Sequence, residues 1–389
     1  METASPIQQS ERAIIVDIVR GLALVGVLIA NFTGYVYENL PSGIFNSISS
    51  PLDKTLNDFN TVFLEWKFFT IFSVLFGYGF GLILVSLEKK SINPVSFFTR
   101  RMGWLFIIGV IHASFWWGDV LHFYAISGLL LLAFRKFSDR SVLWASLLLM
   151  FIVTPFISFL LRNQPDYFTD QNLQHLYEQY KNGNIIDVVR TNIRFNYYAF
   201  IASGSDIHDI AETLGRFLFG YYLLRIKLFE LVNTKRMLFI KVLLVTTPLM
   251  IAYFILRWML LREMITLNEI YRESLLKVGI LSTSCFYVSA LVLMFIRFGK
   301  NKIFSALQAL GTMTLTNYLL ISAFCVALLY GIGLGKLGII SMHIMWMFAF
   351  AWLIVEISFS KLWLKKYRFG PAEWIWRQLT YQKKIQLRK

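Results

Sequence analysis

Apolar stretches of about twenty residues recur from residue 14 to residue 360 of this chain, and each is close to the length that crosses a hydrocarbon core of about 30 Å. Hydrocarbon offers the backbone no hydrogen-bonding partners, so such stretches are confined to helices that satisfy their own amides. With 57% hydrophobic and only 16% charged residues among 389, the chain is too apolar for an ordinary water-soluble domain. The pattern predicts an all-α integral membrane protein, a polytopic bundle of about ten transmembrane helices. The predicted spans are 14–36, 61–86, 102–118, 119–134, 141–161, 210–224, 238–260, 278–296, 303–330 and 339–360. No small-residue cleavage site follows the polar opening, so the first helix is expected to be retained. Cys285 and Cys325 fall inside spans and read as packing residues, not as a disulfide or metal pair.

A formal charge of +15 could suit nucleic acid, but the distribution of the basic residues gives another explanation. With the N-terminus inside, 25 Lys and Arg fall in cytoplasmic segments and 10 in outer ones, the bias that membrane insertion imposes. This orientation puts both termini in the cytoplasm and leaves no need for a nucleic-acid partner. It predicts a multi-pass protein of the cytoplasmic membrane, with membrane lipids around it. The expected organisation is a cytoplasmic N-terminus (1–13), a transmembrane helical domain (14–360) with outer segments 37–60 and 163–209, and a basic cytoplasmic tail (361–389). In the second outer segment a helix is expected from Thr169-Asp170 to just before Gly183, and residues 184–200 suit the headgroup level.

Polar residues inside spans mark the candidate chemistry. On the first span Asp17 and Asn31 come within about 40° of each other around the helix and stand about 21 Å apart along it, with Arg20 one turn from Asp17. They mark the cytoplasmic and outer ends of one face. Asp17 and Arg20 suit either mutual neutralisation or ligand binding. His112 lies about ten residues into its span, and an imidazole there can serve as general base, hydrogen-bond donor or metal ligand. Asp119 follows Gly118 across a tight turn and suits an N-cap as well as a catalytic role; Tyr124 lies on the helix after it. A His112, Asp119, His122 metal set is the minor alternative, and no metal is expected. Gly77 and Gly81 form a small-residue packing face, while Lys67 and Arg216 are expected to snorkel to the interface.

Four pieces together resemble the YeiB-like family of bacterial membrane proteins, a family known as a domain of unknown function. They are Asp17-x-x-Arg20-Gly21 with Asn31, the stretch from His112 to Tyr124, the stretch from Gly311 to Leu320, and Gly370-Pro371-x-Glu373-Trp374-x-Trp376-Arg377 with Thr380-Tyr381. That family resembles the transmembrane acyltransferases, which include the lysosomal enzyme that acetylates the terminal glucosamine of heparan sulfate from cytosolic acetyl-CoA. The resemblance implies an enzyme that moves an acetyl or other acyl group from a cytoplasmic acyl-CoA to a glycan or envelope acceptor outside. His112 would act as base, with Asn31 or Tyr124 as oxyanion donor and Asp17 and Arg20 toward the donor. The lysosomal relative has its catalytic histidine eleven residues after the asparagine, where this chain has Ser42, so His112 must take its place. The alternative is a transporter or exporter of a small molecule or lipid, with the same residues lining a pathway.

Overall fold

The computed structural model describes residues 14–37, 40–164, 167–230, 232, 235–299 and 301–389. The expected cytoplasmic N-terminus, 1–13, lies outside them. The first half of the chain forms α1 (Ile14–Tyr37), α2 (Ser42–Ile48), α3 (Pro51–Phe59), α4 (Lys67–Lys89), α5 (Pro94–Phe115), α6 (Leu121–Leu131), α7 (Asp139–Leu148), α8 (Thr154–Leu161), α9 (Asp170–Asn182) and α10 (Ile185–Asn196). The second half forms α11 (Ser205–Arg225), α12 (Arg236–Leu261), α13 (Glu269–Phe298), α14 (Lys302–Thr312), α15 (Thr314–Leu329), α16 (Met342–Lys366) and α17 (Pro371–Tyr381). No strand occurs among the described residues.

Seven helical stretches are long and apolar enough to cross a membrane, and eight if α14 and α15, bent by 83°, count as one broken span. A helix stands at each of the ten expected spans, but two of them fall short of that test. Leu121–Phe134 is too short, and α11 carries Asp206, Asp209, Glu212 and Arg216 along a length otherwise suited to a span.

Contacts sort the connections into two groups. Ser42 donates its backbone N–H to Asp170 at 2.7 Å, Asp53 meets His343 at 2.9 Å, and Arg262 meets Asp58 at 3.0 Å, joining segments expected outside. At the other end Arg225 bonds Asp139 at 3.0 Å, and Trp376 donates to the Arg101 carbonyl at 2.9 Å, joining segments expected inside. The helix expected from Thr169-Asp170 is α9, with the Thr169 side chain capping its first turn. In α10, Ile185, Ile186 and Ile193 are exposed and Val188 and Phe195 buried, so apolar side chains face outward on a helix outside the bundle.

A tight seam runs between α1 and α14. A Cβ at Gly311 would stand 1.8 Å from the Asp17 carbonyl oxygen, and one at Gly21 would stand 1.9 Å from that of Leu307. The two backbones touch directly, which explains why two distant motifs each carry a glycine. Gly77 on α4 meets the Phe217 backbone on α11 in the same way, the packing expected of it. Forcing a methyl into such a contact costs about 1–3 kcal/mol or more. Gly311→Ala is therefore expected to lower the melting temperature and yield of the detergent-purified protein, whereas Gly43→Ala, where a Cβ has nothing within 4 Å, leaves both unchanged.

Candidate functional site

A cavity of about 670 Å³ opens among α1, α4, α11, α12, α13 and α15. Its first wall is the C-terminal half of α1, where Gly26 receives the Phe68 ring and Asn31 supplies a polar group. Asn31 is 3% exposed, and its Nδ2 has no hydrogen-bond partner. Beside it the chain makes a π-helical turn over Asn60–Leu64, of the kind that often marks functional sites. The Thr33 hydroxyl donates to the Ile29 carbonyl at 2.7 Å and so accepts from Asn60 Nδ2 at 2.6 Å. This orients the Asn60 amide and leaves its Oδ1 buried and unpartnered. Trp66 then takes a left-handed backbone conformation, φ 64°, a strained choice for a bulky residue, and α4 begins anew on the cavity wall.

The turn between α5 and α6 forms a second part of the wall through Trp117, Gly118, Asp119 and Val120. The fully buried Asp119 carboxylate lies between two imidazoles: His112 Nδ1 at 2.6 Å and His122 Nδ1 at 2.7 Å. It also accepts the His122 backbone N–H at 3.2 Å, so the capping and site readings of Asp119 hold together. With both Nδ1 atoms donating to the carboxylate, each Nε2 is the basic end of its ring. His112 Nε2 is buried without a partner. The His112 ring lies 5.1 Å from that of Tyr318, which lines the cavity, so His112 stands directly behind the wall.

The structure thus places Asn31 and Asp119 on the wall of one cavity with His112 behind that wall, and separates the others from it. Tyr124 is fully buried, shares a 2.6 Å hydrogen bond with Ser73 and packs against Phe76 and Phe217. It belongs to the aromatic core and not to the cavity wall, so it is not placed to donate to an oxyanion there. Asp17 and Arg20 pair at 3.2 Å near the start of α1, with the Thr312 hydroxyl 3.5 Å from Asp17. Neither lines the cavity. Among the described residues no group of three or more His, Cys, Asp or Glu is arranged to hold a metal ion; His112 and His122 spend their Nδ1 atoms on Asp119.

A further charged wall was not anticipated from the sequence. On α11 and α13, Lys277 meets Glu273 at 2.6 Å and Glu212 at 3.5 Å, His208 meets Glu273 at 3.2 Å, and Arg216 pairs with Glu212. All five line the cavity, as does Arg257, which pairs with Glu65 at 3.1 Å. The interface role expected of Arg216 is thereby corrected, because its carboxylate partner lies inward. Lys67 is corrected too: it is fully buried, donates to the Thr61 carbonyl at 2.8 Å and lies 4.8 Å from the Tyr253 ring. The missed signal was spacing. His208, Glu212 and Arg216 recur every four residues, as do Glu273 and Lys277, which aligns them on single helix faces.

Residues 223–383 match the family described as "Protein of unknown function (DUF418)", a region that includes two of the motif stretches, Gly311–Leu320 and Gly370–Tyr381. Over its length the chain is 26% identical to "Uncharacterized protein YxaH" of Bacillus subtilis (strain 168), covering 98% of this chain and 97% of the relative. It is 27% identical to "Uncharacterized protein YeiB" of Escherichia coli (strain K12), covering 95% and 96%. No solved structure matches. The resemblance expected from the motifs is the one found: the chain is similar to YxaH and YeiB along its length, and its residues 223–383 match the DUF418 family.

Proposed function

We propose that this protein is a membrane-embedded acyltransferase, moving an acetyl or similar group from a cytoplasmic acyl-CoA to an acceptor at the outer face. The observation that carries the reading is His112, tied through Nδ1 to Asp119 with its Nε2 unpartnered, beside a cavity that also presents the unpartnered Nδ2 of Asn31. In this scheme His112 Nε2 takes the proton of the acceptor hydroxyl or amine as that atom attacks the thioester carbonyl. Asn31 Nδ2 donates to the oxygen that gains charge. On collapse the carbon–sulfur bond breaks, and the thiolate leaves with the proton returned by His112. Asp119 is a positioning residue that holds the ring and its tautomer. Tyr318 would have to turn aside for Nε2 to meet the acceptor, a glycan or envelope component. Arg20, oriented by its pair with Asp17 and about 16 Å along α1 from Asn31, would hold the phosphate end of the donor while its long pantetheine arm reaches the cavity.

The scheme needs a donor inside and an acceptor outside, so we also propose ten crossings of the cytoplasmic membrane with both termini in the cytoplasm. The excess of basic residues on one set of connections and the sorting of contacts between the two ends support it. A second reading, transport, is favoured by the 83° break between α14 and α15, since interrupted helices build many transporter sites.

Two experiments test these proposals. In a variant lacking Cys285 and Cys325, a cysteine at Gln171 is expected to react with an impermeant reagent on intact cells and one at Ser91 only after permeabilisation; the opposite pattern reverses the orientation. Purified protein in detergent is expected to bind acetyl-CoA and release CoA slowly to water. His112→Ala should reduce that release by about 10²–10⁴-fold, the range for losing a positioned base, with little change in binding. Release unaffected by His112→Ala removes the base, and solute uptake by proteoliposomes without any CoA release favours transport.

A further inference from the structure

Arg100 and Arg101 are neighbours on α5 with opposite circumstances. Arg100 is satisfied: it donates to the Thr380 carbonyl and to Gln382 Oε1, the latter at 3.2 Å. Arg101 is 9% exposed, and no described residue accepts a hydrogen bond from its guanidinium. Instead its guanidinium carbon lies over the Trp376 ring, 3.7 Å from the centroid. That ring is itself fixed, because its indole N–H donates to the Arg101 carbonyl at 2.9 Å. Stacking uses only the face of a guanidinium, so its five N–H groups still point outward in the plane, the fork that matches carboxylate and phosphate oxygens. A largely buried guanidinium whose N–H groups meet no acceptor among the described residues is free to take the oxygens of an anion.

The surroundings add positive charge. Arg101 lies within electrostatic reach of Tyr381, Arg377 and Arg20; Arg377 lies over the Phe369 ring and Arg20 is paired with Asp17. The one well-buried carboxylate that the closing motif contributes, Glu373, is committed elsewhere: it accepts the backbone N–H groups of Leu315 and Thr316 at 2.7 and 3.2 Å and the Thr316 hydroxyl at 2.5 Å.

We propose that Arg101, held over Trp376 with the charges of Arg20 and Arg377 within reach, is the centre of a binding site for a phosphate-bearing anion where α5 and α17 pack together. The site shares Arg20 with the donor end of the acyltransferase reading and deepens that reading, but anion binding is measured apart from CoA release. A diphosphate on a soluble ligand and the phosphate of an anionic lipid offer the same oxygens to the same fork. The preorganised ring and the lack of a competing acceptor make Arg101 the anchor, with the other two arginines adding attraction.

The test is a thermal-shift titration of the full chain with inorganic pyrophosphate in neutral detergent, repeated in phosphatidylcholine nanodiscs with and without phosphatidylglycerol. A saturable rise in melting temperature is expected for the wild type. Arg101→Gln should weaken it by about tenfold or more, the effect of losing a charge-assisted bond, and Arg100→Gln should leave it within about twofold. If Arg101→Gln yields no folded protein, Arg377→Gln stands in and is expected to weaken binding severalfold. Displacement of pyrophosphate by phosphatidylglycerol identifies lipid phosphate as the occupant, and its absence identifies a soluble phosphate. A wild type that responds to neither anion, or an Arg101→Gln or Arg377→Gln variant that binds as the wild type does, overturns the site. Loss of the site with CoA release intact leaves the acyltransferase reading standing, and the reverse result leaves this one.

Discussion

Hydrocarbon cannot replace the hydrogen bonds that water gives to a polar side chain, and the architecture follows from that deficit. Most buried polar groups are answered locally. Thr33, Thr154 and Thr283 return their hydroxyls to carbonyls one turn back, and Asn317 bonds Ser360 across helices at 3.0 Å. On the charged wall of the cavity opposite signs stand on neighbouring turns, as with Glu212 and Arg216. Against that background the unmet groups are informative. Asn31 Nδ2 and Asn60 Oδ1 sit on the cavity wall and His112 Nε2 just behind it, while the guanidinium of Arg101 stands apart at the other end. An unpaired buried donor or acceptor costs about 1–3 kcal/mol, which sets these groups apart from the locally answered ones.

The helices were legible in the sequence because hydrophobicity alone dictates them. Apolar runs led to α1, α12 and α16 directly, and the Thr169 cap and Gly183 bracketed α9. The count was less legible. Hydropathy treated α11 as a span by starting it at residue 210, past Asp206 and Asp209, whose presence makes its depth a question of tertiary pairing. Pairing between α11 and α13 is a contact across more than sixty residues, and no local pattern announces it. Lys67 and Arg216 were assigned to the interface because long cations commonly reach for water; their partners, a backbone carbonyl and a glutamate, become visible only when α4, α11 and α12 are assembled.

Of the candidate site, the sequence supplied the members but not their grouping. Spacing along α1 set Asn31 apart from Asp17 and Arg20, and they do lie at different levels. The bond from His112 to Asp119 crosses a turn, and period-based reasoning ends at turns. Tyr124 was grouped with them by nearness in sequence, yet the helix that begins after the turn rotates its hydroxyl toward Ser73. The motif glycines have the opposite history: Gly21 and Gly311 are unremarkable singly, and their contact makes the start of α1, with Asp17 and Arg20, continuous with the break at Met313.

One connection joins the outer cover to the turn that carries Asp119. Tyr180 on α9 donates to Asn192 on α10 at 2.8 Å, and Asn192 donates in turn to the Ser114 carbonyl at 3.1 Å, two residues beyond His112. The same α10 turns Ile185, Ile186 and Ile193 outward, an anchor suited to the headgroup layer. A leaflet that is stretched, thinned or more sharply curved would shift that anchor, and the hydrogen bond would pass the displacement to the end of α5. The geometry between imidazole and carboxylate would then respond to the mechanical state of the bilayer, making the surrounding lipid a source of tension on the site as well as its solvent.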